Sequence, residues 1–465
     1  MAALLDHPWW LLVLATAGVI AICAVGITLF SGVGDRPASA KLVGSCTVDS
    51  EEFLRAVAGT LNAPVDRGGT ARLLNNGDQF YPAIFRALEE ARKTINFMVY
   101  IWEPGVVSDE VFRILIERAR AGVQVRVMVD GLGGHKAHAE NIRMFQEAGG
   151  QWAWFHPARF GKLTRLHKRN HRRAIVVDGR VGFTGGAAVM DKWRGDGLSE
   201  GCWRDSMVEV RGSLAANLQS AFTSLWTHVT GEMLVGTSFY AIGPDGTAAD
   251  EEDGATGESG TGADAPSPAR TGEEDEAPAA ESISWHVSVA SSPSGEAHPM
   301  RALFWLSFRA ACESIYITNP YFVPDDIMCD ALIGRARAGV DVRVLVPSEK
   351  IDIPLIRWAS RSVYEPMLEA GMRIYEYQPA MIHQKSAVVD GIWSLVGSAN
   401  MDVRSKELNQ ENALGILDTG FAGRLTETFF ADLAHAREID LEEFRRRPWH
   451  ERLRERGAAM FEEQF

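Results

Sequence analysis

Along most of this chain the apolar positions fall into two patterns, and both patterns occur twice. Residues 108–121 and 325–338 carry apolar side chains at three- and four-residue spacing, which predicts helices with one buried face. Gly122 and Gly339 follow where a helix C-cap belongs, and β-branched runs after them predict buried parallel strands. The repeated text is RARAGVQVRVMV from Arg118 and RARAGVDVRVLV from Arg335. Upstream, Thr94-Ile95-Asn96-Phe97 matches Ser314-Ile315-Tyr316-Ile317, again after a helix pattern. Each half therefore reads β-α-β-α-β. The expectation is an α/β fold of two pseudo-symmetric halves, each a parallel or mixed sheet with helices on both faces. So long a period marks duplicated domains, not a solenoid. The halves are expected over residues 60–244 and 285–435, with a helical extension over 436–465.

Two stretches lie outside the repeat. Residues 9–30 (WWLLVLATAGVIAICAVGITLF) hold no charge. At about 1.5 Å per residue they reach about 33 Å as a helix, enough to cross a bilayer core. Trp9 and Trp10 sit where an interfacial aromatic belt would be. A cleaved signal peptide is the competing reading, since Ala38-Ser39-Ala40 resembles a cleavage site. No Lys or Arg precedes the run, and it exceeds a typical signal core, so an uncleaved anchor is expected. Arg36, Lys41 and Arg55 follow it, which places the remainder on the cytoplasmic side. Residues 245–284, rich in Gly, Ala, Asp, Glu, Ser, Thr and Pro, read as a disordered acidic linker.

That linker also explains the charge. Residues 245–281 hold twelve acids against Arg270 alone, so −11 of the net −14 belongs to them. The rest of the chain is close to neutral. The five cysteines are dispersed and show no C-x-x-C spacing, so neither a disulfide framework nor a zinc site is expected.

The chemistry concentrates in residues 383–411 (HQKSAVVDGIWSLVGSANMDVRSKELNQE). Two short strands joined by Asp390-Gly391 would bring His383 and Lys385 near Ser398 and Asn400. Imidazole, ammonium, hydroxyl and amide converging on one point suit a phosphate. The duplication demands a counterpart, and residues 171–188 (HRRAIVVDGRVGFTGGAA) supply His171, Arg173, Asp178, Gly185 and Gly186 at the same spacing. Arg173 replaces lysine, and Ala188 stands where asparagine is expected. Asp205 lies roughly where Glu411 lies in the second half; both are candidates for orienting the histidines. Phosphodiester exchange needs a nucleophile, a proton donor for the leaving alcohol, and positive charge around the phosphoryl oxygens. Two histidines suit the first two roles. Arg173 and Lys385, with donors at Gly185, Gly186, Ser398 and Asn400, suit the third. No carboxylate cluster of metal-ligand type accompanies them, so no metal or other cofactor is expected, and fixed cations take the place of a divalent ion.

Paired H-x-(K/R)-x4-D motifs, each followed by G-(S/G), resemble the phospholipase D superfamily. Tyr100-Ile101-Trp102-Glu103-Pro104, Asn319-Pro320-Tyr321-Phe322-Val323-Pro324 and the GSANMDVRS run from Gly397 are similar to its bacterial cardiolipin synthase branch. The resemblance covers the chain from about Ala71 onward, apart from the linker. It implies two α/β halves packed face to face around one active site. It implies a two-step, metal-independent route in which His171 attacks phosphorus and His383 serves as acid and then base; the reverse assignment stays open. It counts Asp178 and Asp390 with the catalytic signature, although bracing of the motif strands is their expected part. It implies phosphatidylglycerol as substrate, cardiolipin and glycerol as products, no nucleic acid, and a single-pass place in a bacterial inner membrane. A hydrolase of the same fold, cleaving phospholipid or nucleic acid with water as acceptor, and an impaired lipid-binding relative suggested by Ala188 and Arg173, are the alternatives. The basic residues of 159–173 read as a funnel for anionic headgroups or as a solvated loop. Tyr100, Trp102, Tyr321 and Phe322 read equally as core or as a lipid-facing rim.

Overall fold

The computed structural model describes residue 9 and residues 13–18, 40–157, 168–241, 281–292 and 298–460. Most of the expected membrane segment, nearly all of the acidic linker and residues 159–167 lie outside the described residues. Among the described residues, no helix is long and apolar enough to cross a membrane.

The repeated helix patterns form Val106–Arg120 and Asp326–Arg337. Gly122 (φ +88°) and Gly339 (φ +93°) end them in the left-handed region. There the amides of Val123 and Val340 reach back to the carbonyls of Arg118 and Arg335 at 3.0 and 3.1 Å. Each cap turns the chain at once into a strand, Gln124–Asp130 or Asp341–Pro347. These strands lie parallel to Thr94–Val99 and Ser314–Thr318 respectively. A third parallel strand follows in each half, Gln151–Phe155 and Arg373–Tyr377.

The motif residues form antiparallel hairpins, Ala174–Val177 with Val181–Gly185, and Ser386–Val389 with Trp393–Gly397. Their turns are Asp178-Gly179 (φ +52° and +66°) and Asp390-Gly391 (φ +52° and +65°). Positive φ at both central residues is what a two-residue type I′ turn requires, and Asp-Gly meets it at low cost. Each hairpin's first strand pairs antiparallel with Thr94–Val99 or Ser314–Thr318, so both sheets are mixed. Among the described residues one sheet has eight strands and the other nine.

The sheets face each other across a shared apolar core. Met98, Val176 and Val208 of the first half pack in one cluster with Val388, Val396 and Leu414 of the second. Helices Ser213–Thr230 and Thr419–Leu433 add Leu218, Phe222, Phe421 and Leu425 to it. At about 2 kcal/mol per aliphatic side chain kept from water, this cluster joins the halves into one unit. The halves also trade edges. Val65–Asp66 pairs with Trp285–Ser291 of the second sheet, while Glu281–Ser282 pairs with Thr70 and Ala71 of the first. Helix Glu51–Leu61, N-terminal to the first half, places Phe53, Leu54 and Val57 in the second half's core.

Trp102 and Phe322 are fully buried core residues, whereas Tyr100 and Tyr321 are only half-buried. The C-terminal helix Trp449–Ala459 buries Ala458 in the first half's core cluster and leaves Trp449 and Leu453 exposed.

Candidate active site

Because each hairpin turns at its Asp-Gly, the residues entering its first strand and leaving its second lie together at the opposite end. His171, Arg173 and Gly185 meet there in the first half, and His383, Lys385 and Gly397 in the second. Each entering segment is pinned to the other half. His171 N donates to Gln410 O at 2.8 Å, and Gln410 N to Arg169 O at 2.8 Å. His383 N donates to Arg204 O at 2.7 Å, and Arg204 N to Met381 O at 2.8 Å. Gln410 and Arg204 immediately precede the two candidate carboxylates, so these bridges carry each carboxylate to the histidine across the interface.

The pairing is therefore crosswise. His171 Nδ1 lies 3.1 and 3.3 Å from the carboxylate oxygens of Glu411, and His383 Nδ1 lies 2.9 Å from Asp205 Oδ2. Both carboxylates are completely buried. Arg173 Nη1 lies 2.9 Å from His171 Nδ1 and donates to His171 O at 2.6 Å. Lys385 Nζ lies 2.9 and 3.0 Å from the two ring nitrogens of His383 and donates to its carbonyl at 2.5 Å. The Tyr100 ring rests against His171 with centroids 4.6 Å apart, and Trp193 and Trp203 wall His383 at 5.3 and 5.2 Å.

Electrostatics follow from burial. Burial, with Arg173 beside it, pulls His171 down to about 4 against the opposing pull of Glu411. Burial and Lys385 pull His383 down to about 3. Lys385 falls to about 7, again chiefly through burial. Burial acts to raise Asp205, but the hydrogen bond and charge of His383, with Lys385 and the Ser206 amide, together outweigh it and hold the carboxyl below its ordinary range. Both imidazoles are thus neutral at neutral pH, with buried cations beside them. A phosphodiester's negative charge favours protonation of the histidine it approaches. Among the described residues, buried Arg173 has no hydrogen-bond partner for Nε and Nη2, and these suit the oxygens of a phosphate.

The other expected site residues take different places. Asn400 is buried, and among the described residues its carbonyl oxygen has no hydrogen-bond partner. Ser398 donates its hydroxyl proton to Glu411, so it braces the carboxylate of His171. The Gly185-Gly186 pair supplies room, not donors: the Gly186 amide faces Ser206 O at 3.5 Å. A side chain at Gly185 (φ +148°) would meet that same carbonyl at 2.5 Å, and one at Gly186 would meet the Asp205 carboxylate at 2.4 Å. Ala188 is buried in the first half's core, its carbonyl accepting the Tyr81 hydroxyl at 2.9 Å.

Asp178 and Asp390, counted with the catalytic signature, sit at the far ends of the hairpins. Asp178 accepts the amides of Arg92, Lys93 and Thr94 at 2.7–2.8 Å, and Asp390 those of Cys312, Glu313 and Ser314 at 2.8–2.9 Å. They hold strands, at the opposite end of each hairpin from the two histidines.

Several contributors escape sequence reasoning. Arg172, buried, donates to Ala221 O at 2.8 Å and to Ser291 O at 2.9 Å. Asn412 clasps the Arg173 backbone across the interface at 2.9 and 3.1 Å. Trp193 Nε1 donates to Asp205 at 2.9 Å, the place that the Ser398 hydroxyl takes at Glu411.

A family model described as cardiolipin synthase, PLD-like domain, matches residues 84–226 and 307–433. A cardiolipin synthase of Geobacillus kaustophilus (strain HTA426) is 33% identical over 393 residues, 84% of this chain and 72% of that protein. Cardiolipin synthase 2 of Bacillus anthracis is 32% identical over 385 residues, 82% of this chain and 68% of that one. Among solved structures, the phosphatidylserine synthase of Haemophilus influenzae Rd KW20 superposes with a TM-score of 0.64 at 13% identity. It covers 89% of this chain and is itself covered completely, which speaks for the fold. Two motif copies, both within the matched segments and joined crosswise in one cluster, agree with that match: this chain belongs to the PLD-like cardiolipin synthase family.

Proposed function

We propose that the chain is a phosphatidyltransferase that joins two phosphatidylglycerol molecules into cardiolipin and releases glycerol. The observation that carries this reading is the crosswise pair of buried histidine–carboxylate contacts, flanked by Arg173 and Lys385, in a chain of this family.

With Nδ1–H directed at Glu411, His171 presents the Nε2 lone pair. It attacks the phosphorus of the first phosphatidylglycerol; a P–N bond forms and the P–O bond to glycerol breaks. His383, held by Asp205 at Nδ1 and protonated at Nε2 once the substrate's phosphate charge is bound, gives the leaving oxygen its proton. The second phosphatidylglycerol then enters, its hydroxyl gives a proton to His383, and a new P–O bond forms as the P–N bond breaks. Arg173 and Lys385 offset the charge on the non-bridging oxygens throughout. Two half-reactions with a shared acid–base group restore the starting enzyme. An uncleaved anchor at residues 9–30 would hold this site at the cytoplasmic face of a bacterial inner membrane, where its substrate lies.

The test is to incubate the purified full chain with phosphatidylglycerol and identify the products. Cardiolipin and glycerol in equal amounts are expected, with at least about a 10³-fold loss in His383→Ala. Phosphatidic acid alone would make the protein a hydrolase, and absence of turnover with lipid binding retained would make it an impaired relative.

A further inference from the structure

One carboxylate borders this phosphate site without belonging to it. Asn319 Oδ1 accepts the amides of Met401 at 3.1 Å and Tyr321 at 3.3 Å, fastening Tyr321 to the residue after Asn400. The Tyr321 hydroxyl reaches out to both oxygens of Asp352, at 2.8 and 2.7 Å. Asp352 itself is exposed. Its loop is fixed on both sides: Ile351 is buried in the apolar core, and Lys350 Nζ donates to Pro379 O at 2.8 Å. The negative charge of Asp352 is felt at Lys385, and Tyr321 is felt at Arg173, so the pair stands at the rim of the cluster. Among the described residues, the tyrosine that follows the matching strand of the first half, Tyr100, has no hydrogen bond to a carboxylate and packs on His171 instead.

A fixed carboxylate repels a phosphate, so Asp352 is unsuited to holding the phosphoryl group. Its oxygens are acceptors, and the ligand groups that need acceptors here are hydroxyls. It belongs to the second half, the side of the site that Lys385 and His383 supply. In the proposed mechanism both the leaving glycerol and the incoming glycerol headgroup occupy that side. A glycerol headgroup carries a free hydroxyl beyond the one that reacts; water and simple alcohols do not. We infer that Asp352, positioned by Tyr321, accepts a hydrogen bond from the non-reacting hydroxyl of the glycerol headgroup and so selects polyol acceptors. This inference rests on the phosphatidyltransferase reading.

The test uses the full chain in mixed micelles of detergent and a phosphatidyl ester of p-nitrophenol, a donor that carries no polyol headgroup. Transfer of the phosphatidyl group to labelled glycerol is measured beside its transfer to 1-butanol. In Asp352→Ala the KM for glycerol should rise about tenfold or more, the scale of one charge-assisted hydrogen bond. Transfer to butanol should stay within about twofold, which also reports that the variant is folded. Tyr321→Phe should move transfer to glycerol the same way by a smaller factor, and Asp352→Glu should recover part of the loss. An unchanged KM for glycerol, or an equal fall for glycerol and butanol, overturns the polyol site while leaving the transferase reading intact. A wild-type chain that yields only phosphatidic acid overturns the transferase reading, and the polyol site falls with it.

Discussion

Replacing Gly186 by alanine tests whether the position of Asp205 governs the chemistry at His383. The added methyl would lie 2.4 and 2.5 Å from the two Asp205 oxygens, where Cβ contacts do not fall below 3.0 Å. Something must therefore move by at least about 0.6 Å, and the surroundings limit what can. Asp205 is fully buried and held by Ser206 N at 2.8 Å, by Trp193 Nε1 and by His383 at 2.9 Å. The displacement passes to the imidazole. A misplacement approaching 1 Å at a catalytic group costs about 10²-fold, or about 2.7 kcal/mol of transition-state stabilisation. The assay is initial-rate cardiolipin formation from phosphatidylglycerol, with circular dichroism to show that the fold is kept. Gly423→Ala is the control, since its Cβ would meet nothing within 4 Å. Activity of Gly186→Ala within about threefold of the control would refute the claim that Asp205 sets the geometry of His383.

Two further outcomes follow from the same site. Lys385, pulled to about 7 by burial, carries its charge below that pH and loses it above. Because kcat/KM reports the free enzyme, it should fall about tenfold per pH unit on the alkaline side. Lys385→Arg should be slower but should lose this alkaline limb, and a pH profile over about pH 6 to 9 checks both. Asp178→Ala removes the acceptor for three amides and leaves alanine in a left-handed turn. Stability should drop by about 2–4 kcal/mol in denaturant unfolding, with kcat per folded molecule unchanged.

The fold was legible where burial writes a long pattern. The paired helices and the parallel strands after Gly122 and Gly339 lie where their repeated text puts them, because strands covered on both faces read as continuous apolar runs. The Asp-Gly turns were equally clear, since few other dipeptides accept positive φ twice. The exchanged edges were not. Val65–Asp66 and Glu281–Ser282 are two-residue strands, too short for any period, and the second lies inside a stretch whose composition predicts disorder. In the site, both histidines and both carboxylates were nameable from the repeat, but their crosswise pairing was not. Repetition reports which residues correspond; it carries no information about which copy faces which. Asn412, beside Glu411, and Trp193, beside the basic Lys192 and Arg194, had no motif to mark them. Ser398 looked like a phosphate donor because a hydroxyl's orientation is set by its neighbours, here Glu411.

The most direct test of one site built from both halves is to trap its covalent stage. A phosphatidyl ester of p-nitrophenol leaves without help from an acid, so His383→Ala should still form the P–N bond but should lack the base that lets an alcohol displace it. The expected result is a burst of about one nitrophenol per chain and a phosphatidyl group on His171 by mass spectrometry of the quenched protein. No burst should occur in His171→Ala. A phosphatidyl adduct elsewhere, or a burst that survives in His171→Ala, would contradict the account.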